Sequence, residues 1–478
     1  MKKIIRSAIF SIILIMCVCG VSYILQDKSS VNKNKEFFKE KNQFDVLLFG
    51  SSHMELFVSP MDLWGDYGIT SYNFGCPEQG LPVTYWVIKN AIDYNKPKMI
   101  VVDMHMFNLQ GNYSNNEYLH YGLDSFPLTK TKLEAIKEMT NSKEEFLEMI
   151  FKIGKYHGNW KNLSESSFRD LDYYMMGNMS YGYYHTMKVT QFEQYPLIDD
   201  IAEVNEDSES YIYTKKIIDL CKNEGIELLL VSTPFLCDSN LQMNIHAAEK
   251  IASENDIPYI NFVDMNSVID MQIDMYDEGH VNQSGMHKVT DYIGSYIAKN
   301  YDIVNHSDDT HYSRWNSLYD NYKQLKYESI LREDDLDVTL ETLHDKNIIT
   351  YIYVGKNANL NLNDEEKCLI QNVFRDNIVA DKNCNKKSQE QFPLLKLEPS
   401  ISNQDYLVYN EAGLTEIAGE EAKEIFNSIV SEHEISDDML AIAVFDKDTN
   451  MLRLLRAYTD DKKESDDLFV DIDRIYLR

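Results

Sequence analysis

The chain has 478 residues, and its 77 Asp and Glu against 46 Lys and Arg give a formal charge of −31. Such a surface repels polyanions at long range, so no nucleic-acid partner is expected. The seven cysteines lie at irregular spacings, Cys17 and Cys19 near the start and Cys76, Cys221, Cys237, Cys368 and Cys384 later. That pattern is neither a disulfide framework nor a zinc site, and no cofactor or metal is expected.

Lys2, Lys3 and Arg6 flank an apolar stretch from Ile4 to Leu25, long enough to cross a bilayer as a helix. No Ala-x-Ala-like cleavage site follows it, which argues against a removed signal peptide. A lipoprotein site is also poor, because Cys17 follows Met16 and Cys19 follows Val18. Residues 1–27 therefore read as a single-pass signal anchor in the cell membrane. The basic flank keeps the N-terminus cytoplasmic and places the main body outside.

From Phe44 onward, short apolar runs alternate with amphipathic ones. Val46–Phe49, Ser71–Phe74, Met99–Val102, Ile226–Val231 and Pro258–Phe262 read as strands. Pro82–Tyr94, Ile212–Cys221 and Ile245–Ser253 read as helices. The clearest helix puts Met286, Val289, Ile293, Tyr296 and Ile297 on one face, with Ser284 as its cap. This alternation predicts an α/β fold over 28–304, a three-layer doubly wound parallel sheet. Sites in such sheets lie beyond the carboxyl ends of the strands.

About 107–205 interrupts the pattern and is too long for a plain loop. It is rich in aromatics, as in Tyr113 to Tyr121, Lys155 to Trp160 and Tyr181 to His185, and Leu133 to Ile153 reads as helix. Such a helical aromatic insert is either a cap whose rings form its own core or a lid lining a groove for an extended substrate. After a linker from Asn305 to Thr310, residues 305–478 read as a smaller C-terminal accessory domain of α and β structure. Its strands are Ile348–Val354, Tyr406–Tyr409, Leu440–Phe445 and Met451–Leu455, and its helices Asp364–Phe374 and Thr415–Val430.

Two short segments carry chemistry. Phe49-Gly-Ser-Ser-His53 follows the first strand, and Asp277-Glu-Gly-His280 precedes the last helix of the α/β unit. A serine needs a positioned base to take its proton. Asp-x-x-His lets a carboxylate reach one imidazole nitrogen from the same loop, fixing the tautomer of that base. Either segment alone is more often an ordinary polar loop; their order and their places at strand and helix ends favour one site. Backbone donors for a developing oxyanion are Ser52 and Gly75, the latter in Tyr72-Asn-Phe-Gly75. Asn108 or His105 is the candidate third donor, and Asp103 with His105 also reads as a simple hydrogen-bonded pair at a strand end.

Gly50-Ser51-Ser52, Asn73-Phe-Gly75 and Asp277-Glu-Gly-His280, in this order, resemble the SGNH/GDSL hydrolase superfamily over roughly Phe44 to Tyr301. Gly-Ser-Ser in place of Gly-Asp-Ser, with a membrane anchor, is similar to its exported cell-envelope branch. That branch includes the D-alanine transfer protein of teichoic acid synthesis and alginate-type O-acetylation proteins. The resemblance implies Ser52 as nucleophile, His280 as base, Asp277 as its partner, and Ser52 and Gly75 as backbone oxyanion donors. The superfamily's Gly-x-Asn-Asp block is absent, which leaves Asn108 as the stand-in for its asparagine donor. The expected activity is serine-dependent acyl transfer, as O-acyltransferase or esterase, on an envelope polysaccharide or teichoic acid. A multi-pass membrane acyltransferase is an expected partner. The alternative is a non-catalytic relative that binds glycan or scaffolds an envelope assembly.

Overall fold

The computed structural model describes residues 2–26, 43–111, 116–163, 165–168, 192–265, 268–271, 274–330, 348–358, 404–409, 415–430, 435–447 and 452–458, with isolated positions between them. The chain opens with helix α1, Lys2–Leu25. Its Ile5–Leu25 stretch has a mean hydropathy of 2.6 and is long and apolar enough to cross a membrane.

A parallel sheet follows. Its strands are β1 (Val46–Phe49), β2 (Ser71–Asn73), β3 (Met99–Asp103), β4 (Glu227–Ser232) and β5 (Tyr259–Asn261), in the order β2-β1-β3-β4-β5. Val46 pairs with Ser71 on one side and Met99 on the other, and Val102 pairs with Leu230. All residues of β1, β2 and β3 are buried. That explains the unbroken runs of Val, Leu and Ile, since a strand covered on both faces has no polar side to alternate. The order changes direction between β1 and β3, and in such sheets the crevice at that point holds the site.

The helices obey ordinary end signals. Chain passes from β1 into α2 (Ser52–Phe57), then α3 (Pro60–Tyr67) and α4 (Leu81–Ile92). In the insert, the segment from Leu133 to Ile153 is not one helix. Ser142 accepts from the Glu145 N–H and starts a new one, giving α5 (Asn116–Leu123), α6 (Lys130–Met139), α7 (Lys143–Ile150) and α8 (Ile153–Tyr156), then a 3-10 turn (His157–Asn162) and α9 (Glu165–Phe168). Tyr181 to His185 lies outside the described residues. After it come α10 (Glu209–Glu224), α11 (Ser239–Glu254) and α12 (Gln283–Asn300). The cap of α12 is Asn282, not Ser284: the Asn282 side chain accepts from the N–H groups of Ser284 and Gly285. Ser284 instead donates to Asp274 Oδ1 at 2.8 Å.

The last helix against this sheet is α13 (Ser313–Ile330), whose Trp315 and Tyr322 join its core. The later strands are β6 (Ile348–Val354), β7 (Tyr406–Tyr409), β8 (Thr415–Ala418), β9 (Leu440–Asp446) and β10 (Leu452–Tyr458), all antiparallel in the order β10-β9-β6-β7-β8. Thr415 to Ala418 is therefore strand rather than the start of a helix. Gly419, at φ +92, turns the chain from β8 into α14 (Glu420–Val430), a conformation that suits glycine. Most of the expected Asp364–Phe374 helix lies outside the described residues.

Candidate active site

The turn after β1 is tight because Gly50 lies against β3; a Cβ there would stand 2.7 Å from Asp103 Cβ. Ser51 then caps α2. Its Oγ accepts from the His53 N–H at 3.2 Å and donates to Asp103 Oδ2 at 3.3 Å. Ser52 becomes the first residue of the helix, and its Oγ stands 2.8 Å from His280 Nε2.

The loop carrying His280 is held by Asp277. Asp277 Oδ1 accepts from the backbone N–H groups of Gly279 and His280 at 2.8 and 2.9 Å. Its two oxygens also lie 2.9 and 3.0 Å from His280 Nδ1. A neutral imidazole has one donor and one acceptor nitrogen. With Nδ1–H given to the carboxylate, Nε2 accepts the Ser52 hydroxyl. Met275 bridges to Val281 at the base of the loop, and Glu278 O accepts from Leu236 N–H at 2.9 Å. The loop thus rests on α12 on one side and on the segment after β4 on the other.

Gly75 lies close to this turn, and a Cβ there would fall 2.3 Å from the backbone nitrogen of Glu55 in α2. Its N–H donates to Asn73 Oδ1 at 2.8 Å, while Asn73 Nδ2 donates to the carbonyls of Met54 and Val58 at 2.7 and 2.8 Å. Asn73 thereby holds the end of α2. Asn108 is placed elsewhere. Its backbone exchanges bonds with the Ser210 hydroxyl, and its Oδ1 accepts from Gln110 N–H at 2.8 Å.

Four residues beneath Ser52 stand out: His53, Asp103, His105 and Thr233. His53 is 1% exposed, because consecutive helical residues project in different directions and Ser52 takes the outward one. Its Nδ1 lies 2.8 Å from Thr233 Oγ1, which donates to Asp103 Oδ1 at 3.2 Å. The His105 ring stacks on His53 with centroids 3.3 Å apart, and His53 lies 5.2 Å from the His280 ring. Burial pushes Asp103 up to about 7. It holds His53 well below the usual histidine range and His105 down at about 3. With the Thr233 hydroxyl donating to Asp103, Nδ1 of His53 is the donor to Thr233. Thr233 escaped the sequence reading, and His53 entered it only as the end of the Gly-Ser-Ser-His segment, without a role, although both follow strands at the sheet's carboxyl edge, where sites gather.

Among the described residues, no group of three or more His, Cys, Asp or Glu side chains is placed to hold a metal ion. No protein-family model and no curated protein matches the chain. Solved structures similar to the chain include the following two. One, a candidate acylhydrolase of Bacteroides fragilis, is 12% identical at a TM-score of 0.31, covering 57% of this chain and 98% of its own. The other, a GDSL-like lipase of Bacteroides thetaiotaomicron, is 13% identical at a TM-score of 0.27, covering 53% and 87%. Superpositions this loose assign no activity.

Proposed function

We propose that the chain is a membrane-anchored serine acyl-transfer enzyme, an O-acyltransferase or esterase with Ser52, His280 and Asp277 as its triad. The observation that carries this reading is the continuous series Ser52 Oγ, His280 Nε2, His280 Nδ1 and Asp277. In this reading Ser52 Oγ attacks an acyl carbonyl as its proton passes to His280 Nε2. Asp277 stabilises the imidazolium. The tetrahedral adduct collapses, the leaving group takes the proton from His280, and an acyl-Ser52 ester remains. An acceptor hydroxyl then gives its proton to His280 and attacks that ester; the second adduct collapses, and Ser52 Oγ leaves with the proton from His280.

Transfer and hydrolysis share these steps and differ in whether water reaches the ester. The apolar helix at the N-terminus and the basic residues before it favour a body outside the cell. That position fits an envelope polysaccharide or teichoic acid as acceptor and a multi-pass membrane acyltransferase as donor. A fluorophosphonate probe on the full chain tests the reading. Labelling of the wild type that is lost in Ser52→Ala and His280→Ala is expected, and an unlabelled wild type sinks it.

One observation favours the second reading, a non-catalytic glycan-binding or scaffolding protein. The Gly75 N–H, an expected oxyanion donor, is engaged with Asn73 Oδ1. The same probe separates the two.

A further inference from the structure

In a chain of formal charge −31, the stretch from Phe151 to Leu163 holds no Asp or Glu and carries Lys152, Lys155 and Lys161. Along it and its flanks, Leu147, Phe151, Trp160, Leu163 and Phe168 are 42, 61, 62, 43 and 61% exposed. Single exposed apolar residues are ordinary on a protein surface. A run of them beside lysines, in an otherwise acidic chain, is not. Lys161 Nζ lies 5.9 Å above the Trp160 ring, so the basic and apolar features interleave.

The position of this face identifies what covers it. Asn159 Nδ2 donates to the Leu25 carbonyl at 3.0 Å, and α8, the 3-10 turn and α9 all contact α1. Leu25 is buried there, whereas the apolar side chains from Ile5 to Val21 are exposed. Among the described residues, the insert therefore meets α1 at the end of its apolar stretch, the level at which a spanning helix leaves the hydrocarbon. Tryptophan and lysine are the residues that favour that boundary, and lysines close to it are drawn to anionic headgroups.

We infer that the exposed side chains of Leu147, Phe151, Trp160, Leu163 and Phe168 form a face that rests in the interface of the membrane α1 crosses. Its apolar side chains enter the boundary between headgroups and acyl chains, and Lys161 meets lipid phosphates. The inference rests on α1 being a retained anchor. It gives part of the aromatic insert a lipid partner and would hold the Ser52 site at a fixed height above the bilayer.

Trp160 makes the test direct. Trp64, Trp86 and Trp315 are 2, 3 and 1% exposed, so lipid can reach only Trp160 among the tryptophans. The full chain is reconstituted in phosphatidylcholine vesicles containing phosphatidylglycerol, with or without lipids brominated near the headgroup. The expected result is a component of tryptophan fluorescence quenched by bromine and absent in Trp160→Phe. The Lys161→Glu chain is expected to show weaker quenching. A chain that floats with the vesicles while Trp160 stays unquenched overturns the inference and leaves the anchor intact. A chain that does not float overturns the anchor and the inference together. Neither outcome bears on fluorophosphonate labelling of Ser52, so the catalytic reading is judged separately.

Discussion

Ser52 Oγ and His280 Nε2 stand 2.8 Å apart across 228 positions of sequence. Each is fixed by its own local device, Ser52 by the Ser51 cap and His280 by the Asp277 turn. The pair's geometry therefore depends on two local devices, one in each segment. Replacing Ser52 with Ala removes a partly buried hydroxyl and leaves both devices standing. We expect acyl-ester turnover and probe labelling to fall by at least about 10³-fold, with an unchanged melting temperature. A variant that keeps more than a tenth of wild-type turnover would remove Ser52 from the chemistry.

Asp277→Asn tests the other end of the series. The carboxamide keeps one acceptor oxygen for the loop N–H groups but cannot stabilise an imidazolium as a carboxylate does. The Asp277 side chain is 48% exposed, so water shares that task and softens the loss. A drop in kcat of about 10²- to 10⁴-fold is expected, with KM little changed, read from steady-state kinetics on an activated ester.

Gly75→Ala separates packing from chemistry. The new Cβ would meet the backbone nitrogen of Glu55 at 2.3 Å, and backbone cannot move aside as a flexible side chain can. The helix that begins at Ser52 must shift. Loss of about 1–3 kcal/mol is expected from such overpacking, measured by urea unfolding, with slower probe labelling in the fraction that stays folded. Full stability with full labelling would show that the turn tolerates the methyl group.

The parallel sheet and the positions of Ser52, Asp277 and His280 were legible because they depend on local sequence. Buried strands read as continuous apolar runs, and Asp277 reaches His280 within one turn. What lay hidden depended on contacts between distant segments. Thr233 joins Asp103 and His53 only because β3 and β4 are neighbours. Residues 415–418 form a strand through pairing with β7, which their own residues do not announce. The cap of α12 was misplaced by two residues because Ser284 and Asn282 are both good capping residues, and only the buried Asp274 claims the serine.

Asn108 gives a prediction of small effect. Its side-chain oxygen closes a local turn with Gln110, and its backbone is tied to Ser210. Asn108→Ala is expected to change kcat by less than about threefold, well short of the roughly 10²- to 10³-fold cost of losing an oxyanion donor. A loss of that larger size would mean the loop swings into the site when substrate binds.

The buried groups below Ser52 pull stability in opposite directions with pH. His105 keeps a folded-state value of about 3 against an ordinary 6.5 because burial disfavours its charge. The unfolded chain then binds the extra proton first, so this contribution is complete above about 6.5 and is lost as pH falls below it. Asp103 behaves oppositely. Raised to about 7 by burial, it holds its proton longer in the folded state than in the unfolded one. Its contribution is complete below the ordinary carboxylate value and is lost as pH rises toward about 7. His53, whose charge burial also disfavours, adds a slope of the same sign as His105, so single substitutions are needed to separate the histidines from Asp103. His105 Nδ1 is also buried with no hydrogen-bond partner among the described residues, and an aromatic ring of similar shape removes that cost. His105→Phe is therefore expected to melt higher than wild type at pH 5, with the gain shrinking toward pH 7. Calorimetric scans across that range decide the matter: a gain that does not change with pH would mean that His105 is charged in the folded protein or does not titrate differently on unfolding.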